Sequence, residues 1–297
     1  MATDIAIHTR ALTKSYGEVM AVAGVDLDVA HGECFALLGP NGAGKTTTTE
    51  ILEGYRDRSS GEASVLGVDP GKRPRSWRAQ LGIVLQTSRD LADLTVAESV
   101  RHFAGYYADP RDPDEVIAAV GLTEKSSSRT TNLSGGQRRR LDVALGIIGR
   151  PRVLFLDEPT TGFDPEARRQ FWELIEALKA SGTTILLTTH YLEEAEALAD
   201  RVAIISHGKV LACDAPHRLG DRQSAPAIVT WETEAGVQHE ETATPTATIR
   251  RLATEFEGEI PNLAVIRPNL EATYLAMLHA EETARAENVA HESELLA

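Results

Sequence analysis

The stretch LLGPNGAGKTTTTEIL, Leu37 to Leu52, decides how the chain folds. Together with the residues just before it, it reads as a short buried strand from Cys34 to Leu38, a tight loop, and a helix closed by Ile51 and Leu52 before Gly54. Gly39, Gly44, Lys45 and Thr46 fill the pattern Gly-x-x-x-x-Gly-Lys-[Ser/Thr], with Pro40, Asn41, Gly42 and Ala43 in the loop and Thr47 following. Glycines there let backbone N–H groups turn inward around phosphate oxygens, and the helix start adds its positive dipole end. In that arrangement Lys45 holds the β- and γ-phosphates and the Thr46 hydroxyl ligates Mg²⁺. A turn that only changes direction would need neither Lys nor Thr at those positions.

The rest of the composition bounds what such a loop can serve. A chain of 297 residues accommodates one large α/β domain and a small second one. Its two cysteines, Cys34 and Cys213, lie in apolar strand-like runs and read as buried free thiols of a reducing compartment. No run of apolar residues is long enough to span a membrane, and the opening MATDIAIHTR lacks the pattern of a secretory signal. The chain is therefore expected in the cytoplasm, or at a membrane through something else. A formal net charge of −14 opposes broad nucleic-acid binding, so no nucleic acid is expected as a partner. Arg138, Arg139 and Arg140 form a local basic run, which reads as a solvated helix face or as partners of acidic neighbours.

Along the chain, short strands and turns come first, followed by the strand and helix of the glycine loop. LGIVLQ is a further apolar strand ending in Gln86, and residues 87–150 read as a helical insert, with Thr95 and Glu98 forming a capping box. Alternation of strands and helices then returns: VLFLDEP is a buried strand, EARRQFWELIEALKASG a helix, and TTILLTTH another strand. RVAIISHGKVLAC reads as a strand pair joined at His207 and Gly208. The composition changes after Pro216. Residues 221–279 read as a small α+β domain after a phosphate-binding α/β unit at 1–220, and 280–297 as a frayed acidic tail.

Asp157 and Glu158 fall at the carboxyl end of the VLFLD strand, where open α/β sheets bind ligands. Carboxylates placed there hold a cation or work on a proton, so Asp157 is assigned to Mg²⁺ and Glu158 to a water facing the γ-phosphate. The sequence LSGGQ, Leu133 to Gln137, precedes another helix, and Ser134 with Gln137 makes a Ser-x-x-Gln capping box. Capping explains neither Gly135 nor Gly136, each of which costs up to about 1 kcal/mol relative to Ala in a first helical turn. Bare N–H groups at a helix start make an anion site that another surface can approach closely. The chain thus carries two phosphate-binding elements.

In combination and order, these motifs resemble the nucleotide-binding subunit of an ABC transporter over about residues 4–220. The resemblance implies a P-loop NTPase fold of the ABC type, α/β with an antiparallel β subdomain and a helical insert, here followed by a small C-terminal α+β domain. It matches Gly39 to Thr47 to the Walker A loop, Val153 to Glu158 to the Walker B strand, and Leu133 to Gln137 to the signature. It further implies that Gln86 contacts Mg²⁺ and senses a membrane partner, that His190 meets the γ-phosphate, that Tyr16 stacks on adenine, and that Asp164 crosses a dimer interface. Phe163 departs from the family, which usually has Leu there.

In that family two subunits meet head to tail, with each ATP between the Walker A loop of one and the signature of the other. The implied partners are a second ATPase subunit, a homodimer, and a separate transmembrane permease, placing the chain on the inner face of the membrane. The triple arginine and the ending LEATYLAML are similar to the ATPases of daunorubicin-resistance-type exporters, which implies export of drugs or other small amphipathic compounds. The alternative is a soluble ABC ATPase of translation, DNA repair or iron-sulfur cluster assembly. The span between Lys45 and Asp157 lacks the sustained heptads of a repair-type coiled coil, and there is one nucleotide domain where translation-type members have two.

Overall fold

The computed structural model describes residues 4–85, 94–221, 225–256, 258–267 and 269–295. The chain divides into two units, Met1–Cys213 and Asp214–Ala297. The first contains a six-stranded sheet whose strands run Leu81–Val84, Val153–Asp157, Thr184–Thr189, Cys34–Leu38, Arg201–Ser206, Lys209–Asp214 across it. The pairings among the first five are parallel. Cys34–Leu38, Val153–Asp157 and Thr184–Thr189 are buried at every position, as strands covered on both faces must be. Alternate residues serve opposite faces: Leu154 and Leu156 join one apolar cluster, Val153 and Phe155 the other.

Parallel register sets the carboxyl ends of these strands side by side. Leu38 pairs with Thr189, and Asp157 with Thr188, so the loops that follow all three strands leave from the same edge of the sheet. A second sheet, antiparallel, has the order Val19–Ala30, Ile5–Tyr16, Ser60–Val65, and its apolar face joins the cluster containing Phe35, Leu37 and Trp77.

Within the span read as a helical insert, the described helices are Val96–Ala104, Pro113–Ala119 and Gly135–Ile147. The Thr95 and Glu98 capping box forms as the sequence indicates. Gly135–Ile147 lies against the edge strand Leu81–Val84 at very short range. A Cβ on Gly82 would lie 2.3 Å from Gly146 O, and one on Gly146 would lie 2.7 Å from Val84 Cγ2, so this pair of glycines permits the approach.

The second unit holds a three-stranded antiparallel sheet, ordered Gly236–Thr242, Ala227–Thr233, Ala264–Ile266, with the helix Pro245–Glu255 against its central strand. The boundary falls at Cys213 and Asp214, not at 220. The short turn Leu219–Asp221 packs on the helix Leu270–Leu295, with Gly220 directly beneath Thr273, which ties this segment to the second unit. That helix also runs through most of the segment read as a frayed tail, whose Ala and Glu residues favour helix without any core to bury. Cys34 is buried as expected, but Cys213 is exposed: its strand is the outermost of the sheet and presents one face to solvent. Among the described residues no helix is long and apolar enough to cross a membrane.

Candidate functional site

The glycine loop begins where Cys34–Leu38 ends, and Gly44 caps the helix Lys45–Leu52 in the left-handed region, at φ 101°. A Cβ on Gly44 would also lie 2.4 Å from Ala21 O, so both backbone conformation and space demand glycine. Lys45 is buried and donates from Nζ to Gly39 O at 2.7 Å and Pro40 O at 3.1 Å. Burial lowers its pKa, while Glu158 and Asp157 pull it back up, which places all three in one electrostatic neighbourhood. Thr46 is exposed beside the loop and Thr47 half-buried.

Asp157, 6% exposed, accepts a hydrogen bond from Thr188 Oγ1, and burial raises its pKa against that bond. Glu158 stands just past the strand in the left-handed region at φ 47°, a strained setting for a residue with a Cβ. Its N–H donates to Thr188 O at 3.0 Å and to Thr188 Oγ1 at 3.2 Å. Its carboxylate Oε1 lies 3.3 Å from His190 Nδ1. Lys45, Asp157, Glu158 and His190 therefore meet at one end of the sheet. Tyr16 ends its strand 40% exposed, with Lys14 Nζ 5.2 Å and the Arg56 guanidinium 5.3 Å from its ring centre. Gln86 lies outside the described residues.

The signature is built differently. Ser134 Oγ accepts from Gln137 N at 3.3 Å and Gln137 Oε1 from Ser134 N at 3.1 Å, so the capping box is real. Yet a Cβ on Gly135 would meet nothing within 4 Å, and one on Gly136 only Phe163 Cδ1 at 3.8 Å. Among the described residues no neighbour crowds either position enough to require glycine. The helix they open packs on the edge strand Leu81–Val84, three positions across the sheet from Cys34–Leu38, or roughly 14 Å at ordinary strand spacing. Asp164 is exposed and caps the helix Pro165–Ala180, accepting from Ala167 N at 2.8 Å. Phe163 is buried edge-on to Phe171, centroids 5.9 Å apart, directly under the signature.

Two contributors were not singled out by the sequence. Thr188 holds both Asp157 and the Glu158 backbone; the available signal was a buried threonine at the carboxyl end of the strand beside Asp157. Arg139 was read with its neighbours as a solvated or acid-paired arginine, and the structure corrects this: it is 7% exposed and donates to the backbone carbonyls of Pro159, at 3.1 Å, Leu85 and Asp157.

A model of the ABC transporter family matches residues 22–161. The chain is 40% identical over 260 residues to Nod factor export ATP-binding protein I of Rhizobium meliloti (strain 1021), covering 86% of this chain and 76% of that protein. The chain belongs to the ABC transporter family. It is also 36% identical over 320 residues to Daunorubicin resistance ATP-binding protein DrrA2 of Streptomyces coeruleorubidus, covering 96% of this chain and 99% of the relative, so this match takes in the second unit as well. Among solved structures, cbiO1 from Clostridium perfringens, part of the ABC transporter complex cbiONQ, superposes with a TM-score of 0.65 at 28% identity, over 72% of this chain and 90% of that one. The ABC cassette fold is thus shared, and the chain is an ATP-binding subunit of the exporter type. These relatives favour that reading over the soluble ATPases.

Proposed function

We propose that this ABC subunit hydrolyses ATP in a site completed by the signature of a second copy, and that the cycle drives a separate membrane-spanning permease on whose cytoplasmic face the chain sits. The observation that carries the reading is Glu158 Oε1 at 3.3 Å from His190 Nδ1, beside the Asp157 carboxylate and the buried Lys45. ATP lies with adenine on Tyr16 and its phosphates in the loop Gly39–Thr47. Lys45 exchanges its bonds to Gly39 O and Pro40 O for phosphate oxygens. Glu158 accepts a proton from the water that attacks the γ-phosphorus in line, as the bond to the β,γ-bridging oxygen breaks and ADP and phosphate form. His190 orients Glu158 and contacts the γ-phosphate. From the other copy, Ser134, Gly135, Gly136 and Gln137 close over the γ-phosphate, and Asp164 lies in the loop crossing between copies.

The oxygen donors of Thr46 and Asp157, with Gln86, suit Mg²⁺, and a carboxylate buried as deeply as Asp157 fits a cation neighbour. Bound there, the ion would neutralise developing phosphate charge. Among the described residues no group of three or more His, Cys, Asp and Glu is placed to hold a metal ion by itself.

The cargo class, drugs or other small amphipathic compounds, rests on the named exporter relatives, and the second unit is assigned to regulating the dimer or the permease. Glu158→Gln keeps ATP binding and nearly abolishes turnover; unchanged turnover in a steady-state assay removes Glu158 from its role. Affinity purification of the tagged chain from gently solubilised membranes recovers a stoichiometric polytopic membrane protein. Recovery only with ribosomes, DNA or cluster-assembly proteins would refute the transporter assignment.

A further inference from the structure

Arg139 presents a problem of energetics. Removing a guanidinium from water costs several kcal/mol, and apolar side chains of similar volume would fill the same space more cheaply. The Arg139 hydrogen bonds go to backbone carbonyls: Nε donates to Pro159 O at 3.1 Å, and the two terminal nitrogens to Leu85 O and Asp157 O. Burial lowers its pKa, with Asp142, Asp157, Glu194 and Glu158 acting against that fall.

The identity of the carbonyls gives the group a purpose. Asp157 and Pro159 are the residues on either side of Glu158, which is held at φ 47°. Such a conformation persists only where its surroundings over-determine it. Thr188 fixes the Glu158 N–H, and Arg139 fixes the carbonyls before and after it. The third carbonyl, of Leu85, immediately precedes Gln86. Arg139 itself sits two residues beyond Gln137 on the helix Gly135–Ile147, a rigid element whose first turn is the signature. One planar donor fork therefore ties the signature helix, the strand end before Gln86 and the peptide around Glu158 into a single unit.

We propose that Arg139 is a positioning residue for hydrolysis, fixing the backbone on both sides of Glu158 to the signature helix so that the carboxylate is aimed at the attacking water only when that helix is in place. This rests on Glu158 being the catalytic carboxylate. Lysine cannot replace it, because one nitrogen cannot reach three divergent carbonyls.

The test uses the full chain with Arg139→Met and Arg139→Lys, compared by steady-state ATPase kinetics, equilibrium binding of a fluorescent ATP analogue, and thermal melting. In Arg139→Met, kcat falls about tenfold to a hundredfold, the scale of a small misplacement of a reacting group. Arg139→Lys loses less, and in both variants KM and analogue affinity stay within about twofold, because the lost interaction is one felt in the transition state. Combined with Glu158→Gln, Arg139→Met adds no further loss in kcat, since it acts through that residue. A folded Arg139→Met with wild-type kcat overturns the proposal, as does a loss of kcat matched by an equal loss of nucleotide affinity and of folded protein. If the Met variant does not fold, Arg139→Lys decides by the same readouts. Full activity of Glu158→Gln would instead remove the proposed function itself, whereas an inactive Glu158→Gln beside a fully active Arg139→Met removes only the role of Arg139.

Discussion

Glu53 caps the end of the helix that begins at Lys45 and is 6% exposed. Burial pushes its pKa up to about 8, with Asp157 and then Glu50 adding to the rise. A carboxyl whose folded value exceeds its unfolded one binds a proton in the native state that the unfolded state has released. Stability is then fully present below the ordinary value of 4.5 and falls as pH rises toward about 8. The slope is about 1.4 kcal/mol per pH unit across that window. Glu53→Gln, neutral at every pH, is expected to match the wild type in thermal melting at acid pH and to melt higher above the window. An equal difference at both ends would contradict the assignment. Residues of this kind explain what the sequence could and could not show. Gly39, Gly44, Lys45 and Thr46 were legible because their spacing is local and their chemistry belongs to one ligand. Arg139 and Thr188 were not, because their partners lie far away in sequence, at Leu85 and Asp157.

At the scale of elements, legibility followed the strength of the pattern. The buried strands Cys34–Leu38, Val153–Asp157 and Thr184–Thr189 stood out as apolar runs, and their parallel register does the rest by setting Asp157 and Glu158 close to Lys45 and His190. The first strands were harder to trace. Ile5–Tyr16 and Val19–Ala30 each run for 12 residues, but their register shifts between Thr9 and Leu12, beside Ala11 at φ 46°, and the polar interruption makes each long strand read as fragments. The signature helix shows two local explanations holding together. Ser134 and Gln137 do cap it, and Gly135 still opens onto empty space, so capping accounts for the ends of the motif and not its middle. The final helix was legible at its start, LEATYLAML, but not in its continuation to Leu295, because good helix formers without an apolar stripe give no periodic signal.

For the whole molecule, the two phosphate-binding elements pose the central question. One protomer puts its phosphate loop beside Asp157, Glu158 and His190, and its signature at the edge strand of the same sheet, three strands away. A second copy turned head to tail would bring its signature to the first copy's phosphate loop, using the open glycines that none of the described residues crowds. This account makes ATP the glue of the dimer and predicts that blocking hydrolysis preserves it. The most direct measurement is the mass in solution of purified Glu158→Gln, by light scattering with and without saturating ATP, alone and combined with Ser134→Arg. The predicted result is a doubling of mass on adding ATP to Glu158→Gln, and the mass of one chain for the double variant even though it still binds the nucleotide. A Glu158→Gln chain that stays monomeric in ATP, or a dimer that forms equally well with Ser134→Arg, would contradict the shared site.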